Sequence, residues 1–218
     1  MSKRRTISVT CPKCKEKQPF VMWESINTAL DPEMKSAVKD QSAFLFTCPT
    51  CGTQNYIDYG FLYHQMEDQI MIHYANSDED EKEIYQFLYE DSDKMIQELL
   101  KANYLIRIVR SQNELREKIF IFDEGLDDRI IEVYKLLVFV SIHDDHPEWN
   151  DMKILFSAAD GKRTFVVFVE GNLMGSVDYS DTIYNTLCEK HLTKLPDLRN
   201  DIPFIEVRRA MEIMGFEK

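Results

Sequence analysis

The sequence predicts an α+β chain in two parts: a small ribbon-like β module with a helical insert, then helices packed on a small antiparallel sheet. Three observations carry this expectation. Two Cys-Pro-x-Cys pairs, Cys11-Pro-Lys-Cys14 and Cys48-Pro-Thr-Cys51, each follow a short strand-like run. Apolar residues recur at helical spacing over much of residues 81–142. Asp160-Gly161 stands between two runs rich in β-branched and aromatic residues, a strong hairpin signal. The expected division falls near residue 75, with a module over 1–75 and an α+β region over 76–218.

Each element has a local reason. Residues 6–10 alternate in polarity and run into the first cysteine pair, and residues 19–27 return from it. Asp31-Pro32-Glu33 reads as a helix start, with Asp as cap, Pro at the first helical position and Glu at the positive helix end. That helix ends near Gln41. Phe44–Thr47 enters the second pair and Gln54–Asp58 leaves it, with two further strands around 61–64 and 69–74. The acidic run 78–83 opens a helix bearing Ile84, Phe87, Leu88, Met95, Leu99 and Leu100 on one face, which Asp91-Ser-Asp93 splits in two.

Residues 104–110 form a strand. Ser111 stands three residues before Glu114, the capping-box spacing, and opens a helix that stops at Gly125. Asp127 or Asp128 caps the next helix, and Pro147 prevents its continuation. The hairpin strands 152–158 and 163–169 are apolar on both faces, which predicts burial on both. A third strand near 173–178 and helices at about 181–194 and 203–214 close the chain.

Composition bounds the function. The 218 residues are 44% hydrophobic and 11% aromatic, enough for a core. The formal net charge is −12. Residues 1–20 carry six Lys/Arg against one Glu, whereas the other residues carry 20 against 37 acids. Most of the chain therefore repels nucleic-acid phosphates. No apolar run approaches the roughly 20 residues of a membrane span, and the N-terminus lacks the apolar stretch of a secretory signal. A soluble, cytoplasmic protein with no membrane partner is expected, and the odd fifth cysteine, Cys188, argues against a disulfide framework.

The two cysteine pairs point to a metal. A C-x-x-C turn aims two sulfurs at one point, and proline pre-sets the turn. Gly52 allows the unusual φ such a knuckle needs. Two turns complete a Cys₄ site at Cys11, Cys14, Cys48 and Cys51, across 33 intervening residues that hold a strand and a helix. Four thiolates suit one structural zinc, so the module is expected to be zinc-ribbon-like; iron in a rubredoxin-like site and a redox dithiol are the less favoured alternatives. A closed thiolate set leaves no open position for catalysis.

With Phe44-Leu-Phe-Thr-Cys48-Pro-Thr-Cys51-Gly52, Phe61-Leu-Tyr-His-Gln-Met66, Arg107–Ile119 and Gly125–Asp128, the chain resembles the CpXC-domain proteins of bacteria and archaea over roughly residues 7–135. That resemblance implies four metal-binding cysteines and no established activity. It also leads one to expect an acidic residue where Gln65 stands.

Other constellations have plainer readings. Lys3, Arg4, Arg5, Lys13, Lys15 and Lys17 suit either a nucleic-acid contact or, as favoured here, charge compensation for a metal–thiolate group of formal charge −2. His143-Asp-Asp-His146 reads as a helix end rather than a second metal site. Cys188 and His191, at i,i+3, read as a helix face rather than a nucleophile and base. Asp123, Glu124, Asp127 and Asp128 read as helix stop and cap rather than a carboxylate cluster. No catalytic motif is found. The expected function is a non-enzymatic, zinc-binding module that docks another protein. The alternative is a nucleic-acid-associated regulator using the basic arm and first knuckle.

Overall fold

The computed structural model describes residues 2–90, 98 and 102–216. The chain divides into two compact units, 1–115 and 116–218. The first unit contains β1 (Lys3–Thr10), β2 (Lys17–Asn27), α1 (Glu33–Lys39), β3 (Leu45–Thr47), β4 (Gln54–Tyr56), β5 (Phe61–Gln65), β6 (Ile70–Tyr74), α2 (Asp78–Tyr85) and β7 (Leu105–Val109). Five strands make one sheet in the order β1-β2-β5-β6-β7, and β3 and β4 form a separate two-stranded hairpin. The β1/β2 and β5/β6 pairs are antiparallel; β2/β5 and β6/β7 are parallel.

This division differs from the one expected near residue 75. The segment after β6 returns to lay β7 beside it, Ile70 opposite Leu105 and Tyr74 opposite Val109. Every residue of β7 is buried, so β7 belongs to the first unit. Local pattern marked the strand but gave no sign of its distant partner.

An aromatic chain supports the small hairpin. Phe46 of β3 meets Phe20 of β2 edge-on at 6.4 Å, Phe44 lies 5.4 Å from Phe61, and Phe61 meets Tyr74 at 6.2 Å. Phe44, Phe46, Phe61 and Tyr74 are all buried. Edge-to-face geometry adds to the area these rings remove from water.

Helix α1 opens with Pro32 already helical, and no side chain caps it, contrary to the role expected of Asp31. Ser77 caps α2 by accepting from the Asp80 N–H, and four acids fill the first turn as expected. A π-turn at Gln86–Glu90 follows, with Leu88 buried and Phe87 exposed. Met95, Leu99, Leu100 and the Asp91-Ser-Asp93 break lie outside the described residues. Gln65, where an acidic residue was expected, uses its amide both ways: it accepts from the Tyr63 hydroxyl at 3.0 Å and donates to Asp68, which a carboxylate could not do.

The second unit holds most of α3 (Gln112–Asp123), then α4 (Asp128–Asp145), β8 (Met152–Ser157), β9 (Thr164–Val169), β10 (Asn172–Asp178), α5 (Asp181–His191) and α6 (Val207–Met214). Ser111 caps α3, while Glu114 reaches past it to the Arg110 N–H. At the far end the Leu126 N–H returns to the Ile121 carbonyl around Gly125 at φ +67°, a Schellman closure. Asp127 caps α4 through the Arg129 N–H. The three strands form an antiparallel sheet, β10-β9-β8. Its inner face brings Ile154, Phe156, Phe165 and Val167 against Ile130, Ile131, Val133 and Tyr134 of α4.

Two expectations about this sheet are corrected. Asp160 and Gly161 are both left-handed, but the strands stop at the Ser157–Thr164 pair and the connection spans 158–163 rather than two residues. Burial on both faces holds for Ile154, Leu155 and Phe156 of β8 but not for β9, where Val166 and Phe168 are half-buried; β10 is exposed along its length. In addition, α6 begins at Val207 rather than near 203.

Four charged side chains, Glu117, Lys118, Asp128 and Glu132, are buried on α3 and α4 with the half-buried Lys135 among them. Lys118 sits 2.9 Å from Asp128 and donates to the Ile205 carbonyl; Lys135 lies between Glu117 at 3.0 Å and Glu132 at 2.9 Å. Burial pushes the Glu117 carboxyl upward in pKa, and Lys135 opposes this. Glu117 also accepts the Phe156 N–H at 2.6 Å on the edge of β8. Removing one partner from such a network leaves a buried charge uncompensated. Lys135→Met is therefore expected to destabilise the second unit by about 3–5 kcal/mol in urea unfolding, against at most about 1 kcal/mol for Lys3→Ala in the exposed pair with Glu24.

Candidate metal centre

Two knuckles of the same construction carry the four cysteines. At the tip of β1–β2, the Cys11 N–H bonds the Glu16 carbonyl at 2.9 Å and the Lys15 N–H bonds the Cys11 carbonyl at 3.0 Å. At the tip of β3–β4, the Cys48 N–H bonds the Thr53 carbonyl at 2.9 Å and the Gly52 N–H bonds the Cys48 carbonyl at 2.8 Å. Gly52 has φ +69°, as its sequence position suggested, and Lys15 takes the same left-handed place at φ +64°. A side chain there is strained, and nothing in the sequence motif announces it. The Lys15 ammonium donates to the Pro12 carbonyl at 2.8 Å, holding the turn closed.

The knuckles face each other. The Cys11 and Cys51 sulfurs are 3.6 Å apart, as are those of Cys14 and Cys48, and all four lie within 4.8 Å of one another. Cys11 and Cys48 are buried; Cys14 and Cys51 are half-buried. Gln18 ties the knuckles together by donating to the Thr50 hydroxyl at 3.1 Å. The four cysteines named from the sequence are thus brought together, and their donor set can hold a metal ion.

The local field favours thiolate at two of them. The Cys14 N–H, then the Lys13 N–H, lower the Cys11 pKa against the opposing effect of burial. The Thr53 hydroxyl, 3.3 Å from the Cys51 sulfur, and the Thr53 N–H lower Cys51 to about 6. At Cys14 the Glu16 N–H acts the same way, but burial and the three neighbouring sulfurs push the thiol up to about 12. Four crowded sulfurs cannot all ionise without a cation among them, and a divalent ion removes that repulsion.

The sequence of residues 9–135 matches the family described as CpXC protein. The chain belongs to that family. The match includes all four cysteines, both knuckles and β7, and ends within α4. No curated protein and no solved structure matches the chain.

The other candidate residues are not assembled into sites. The His143 ring stacks on Phe139 and the His146 ring on Trp149, with His146 Nδ1 at 3.3 Å from Glu148. Among the described residues, the four cysteines are the only group of three or more metal-ligating side chains. Burial raises the Cys188 pKa, with Tyr184 opposing, and the buried His191 Nε2 has no hydrogen-bond partner among the described residues. The acids at 124–128 serve separately: Glu124 pairs with Arg163, Asp127 with Arg129, and Asp128 with Lys118. No helix among the described residues is long and apolar enough to cross a membrane.

One left-handed position makes a prediction. Gly52→Ala is expected to cost about 1–2 kcal/mol and to release metal to a chelator faster than the wild type. Chelator-competition kinetics on the variant check this.

Proposed function

We propose that the chain is a zinc protein whose Cys₄ site is structural, and that the module it holds together docks another protein without performing chemistry. The mutual distances of the four sulfurs support this reading. A tetrahedron with Zn–S near 2.3 Å has S···S edges of about 3.8 Å, and two cross-knuckle pairs already stand at 3.6 Å. Small rearrangements close the set. With four protein thiolates, water has no coordination position and zinc has no catalytic opening. Zinc supplies cross-linking and charge neutralisation between two hairpins that share no strand pairing.

The basic residues support docking more than phosphate tracking. Lys3 and Arg5 both pair with Glu24, at 2.5 and 3.2 Å, and Arg4 lies over the Trp23 ring at 5.4 Å. Three of the six N-terminal cations are thereby engaged within the β1–β2 face. Purified protein is expected to carry about one equivalent of zinc and little iron by elemental analysis. Cys48→Ser is expected to lose that zinc, while His143→Ala keeps it. Iron in place of zinc, or zinc retained by Cys48→Ser, contradicts the proposal.

A further inference from the structure

The first strand of the module is an open sheet edge with an electrostatic preference. In the five-stranded sheet, β2 is the only strand beside β1 among the described residues. The register shows which of its backbone groups are free. Pro19, which has no N–H, stands opposite Ser8, and the Trp23 N–H, opposite Arg4, is directed to the Tyr59 hydroxyl. Cys11, beyond the other end, bonds across the hairpin to Glu16. In an antiparallel ladder the hydrogen-bonded pairs alternate with unbonded ones. Arg5, Ile7 and Val9 therefore bond to β2, and Arg4, Thr6, Ser8 and Thr10 turn their N–H and C=O groups to the open edge. These four residues are exposed. None is proline, and the one irregularity of register lies before Arg4, at the end of the run.

The charge around this edge is opposite to that of the chain. Lys3, Arg4 and Arg5 flank one end, and Lys13, Lys15 and Lys17 ring the knuckle at the other. All six are exposed, with Glu16 and Glu24 the only acids in residues 3–24. Residues 21–218 carry 20 Lys/Arg against 37 acids, which makes the whole chain −12. Single-stranded nucleic acid fits this edge poorly. It requires exposed rings for base stacking, whereas Trp23 is buried beneath Arg4. A peptide main chain matches the repeat of the free N–H and C=O groups, and acidic side chains match the cations.

We propose that the open edge of β1 receives an extended acidic segment of a partner protein, added as a sixth strand beside Arg4–Thr10. This deepens the docking function proposed above and rests on it. The backbone ladder supplies affinity, and the exposed cations at the knuckle end, Lys13 and Lys17, select acidic segments over neutral ones.

The test uses a short fluorescent peptide alternating Glu and Val, a version with Lys for Glu, and an oligothymidine, each titrated into zinc-loaded full-length protein. The acidic peptide is expected to bind and to slow amide exchange at Arg4, Thr6, Ser8 and Thr10. The Lys peptide is expected not to bind. Ser8→Pro removes an outward N–H without touching the ladder to β2. It is expected to weaken binding roughly tenfold, as for one or two lost hydrogen bonds. Lys13→Glu with Lys17→Glu is expected to weaken it several-fold, and raised salt to do the same. Zinc content and circular dichroism of every variant identify any that fails to fold, and the charge variants, at exposed positions, keep the test open if Ser8→Pro does. Binding unaffected by Ser8→Pro in a folded, zinc-loaded sample overturns the edge assignment. So do tighter binding of oligothymidine, self-association through β1, or no binding of the acidic peptide at millimolar concentration. In each of these outcomes normal zinc content leaves the metal reading standing, whereas absence of zinc from the wild-type protein defeats that reading instead. Partners captured from the native host by wild type and Ser8→Pro alike, and lost with Cys48→Ser, uphold docking while rejecting this edge.

Discussion

Four sulfurs within 4.8 Å of one another are the constraint on which, in the proposed reading, the first unit depends most. The hairpin of β3 and β4 is three residues long on each side and lies outside the main sheet. A two-stranded hairpin of that size is marginal by itself in water. Its support comes from two sources: the rings of Phe44 and Phe46 on one side, and the convergence of Cys48 and Cys51 with Cys11 and Cys14 on the other. The aromatic contacts alone leave the knuckle turns held by a handful of backbone bonds and the Gln18–Thr50 contact. Structural zinc contributes roughly 10–16 kcal/mol of apparent binding energy in finger peptides. That is far larger than any single contact between these hairpins, so in the proposed reading the ion, not the rings, fixes the register of the two turns.

The knuckle geometry also explains the uneven use of glycine. Each turn needs a left-handed residue immediately after its second cysteine. Gly52 supplies it without strain, while Lys15 supplies it at a steric cost and uses its ammonium to bond the Pro12 carbonyl. Lysine, unlike glycine, also places a cation within the first knuckle.

Much of the site was legible because its information is local. The cysteine spacing, the prolines within the pairs and Gly52 are all read within a few residues of one another. Three caps were legible for the same reason: Ser111, Gly125 and Asp127 act on backbone groups within one turn, whereas Ser77 was found only in the structure. What the sequence concealed is non-local. The place of β7 beside β6 depends on a partner 35 positions away. The buried Glu117, Lys118, Asp128 and Glu132, with the half-buried Lys135, look like ordinary charged helix surface until α3 and α4 are packed. Strands 152–157 and 164–169 looked suited to burial on both sides, which β8 achieves, whereas Val166 and Phe168 on the face of β9 away from Phe165 and Val167 are half-buried. The hairpin signal at Asp160-Gly161 located the connection and the two left-handed residues, but Ser157 and Thr164 end the ladder earlier than a two-residue turn requires.

The central claim is that a metal held by Cys11, Cys14, Cys48 and Cys51 stabilises the knuckle end of the first unit. Hydrogen exchange read residue by residue, before and after complete removal of metal by a chelator, tests it most directly. The account predicts that the amides of Cys11, Lys15, Cys48 and Gly52 and those of β3 and β4 lose protection, while β8 and β9 keep theirs. An unchanged protection pattern at both knuckles after the metal has gone would contradict it.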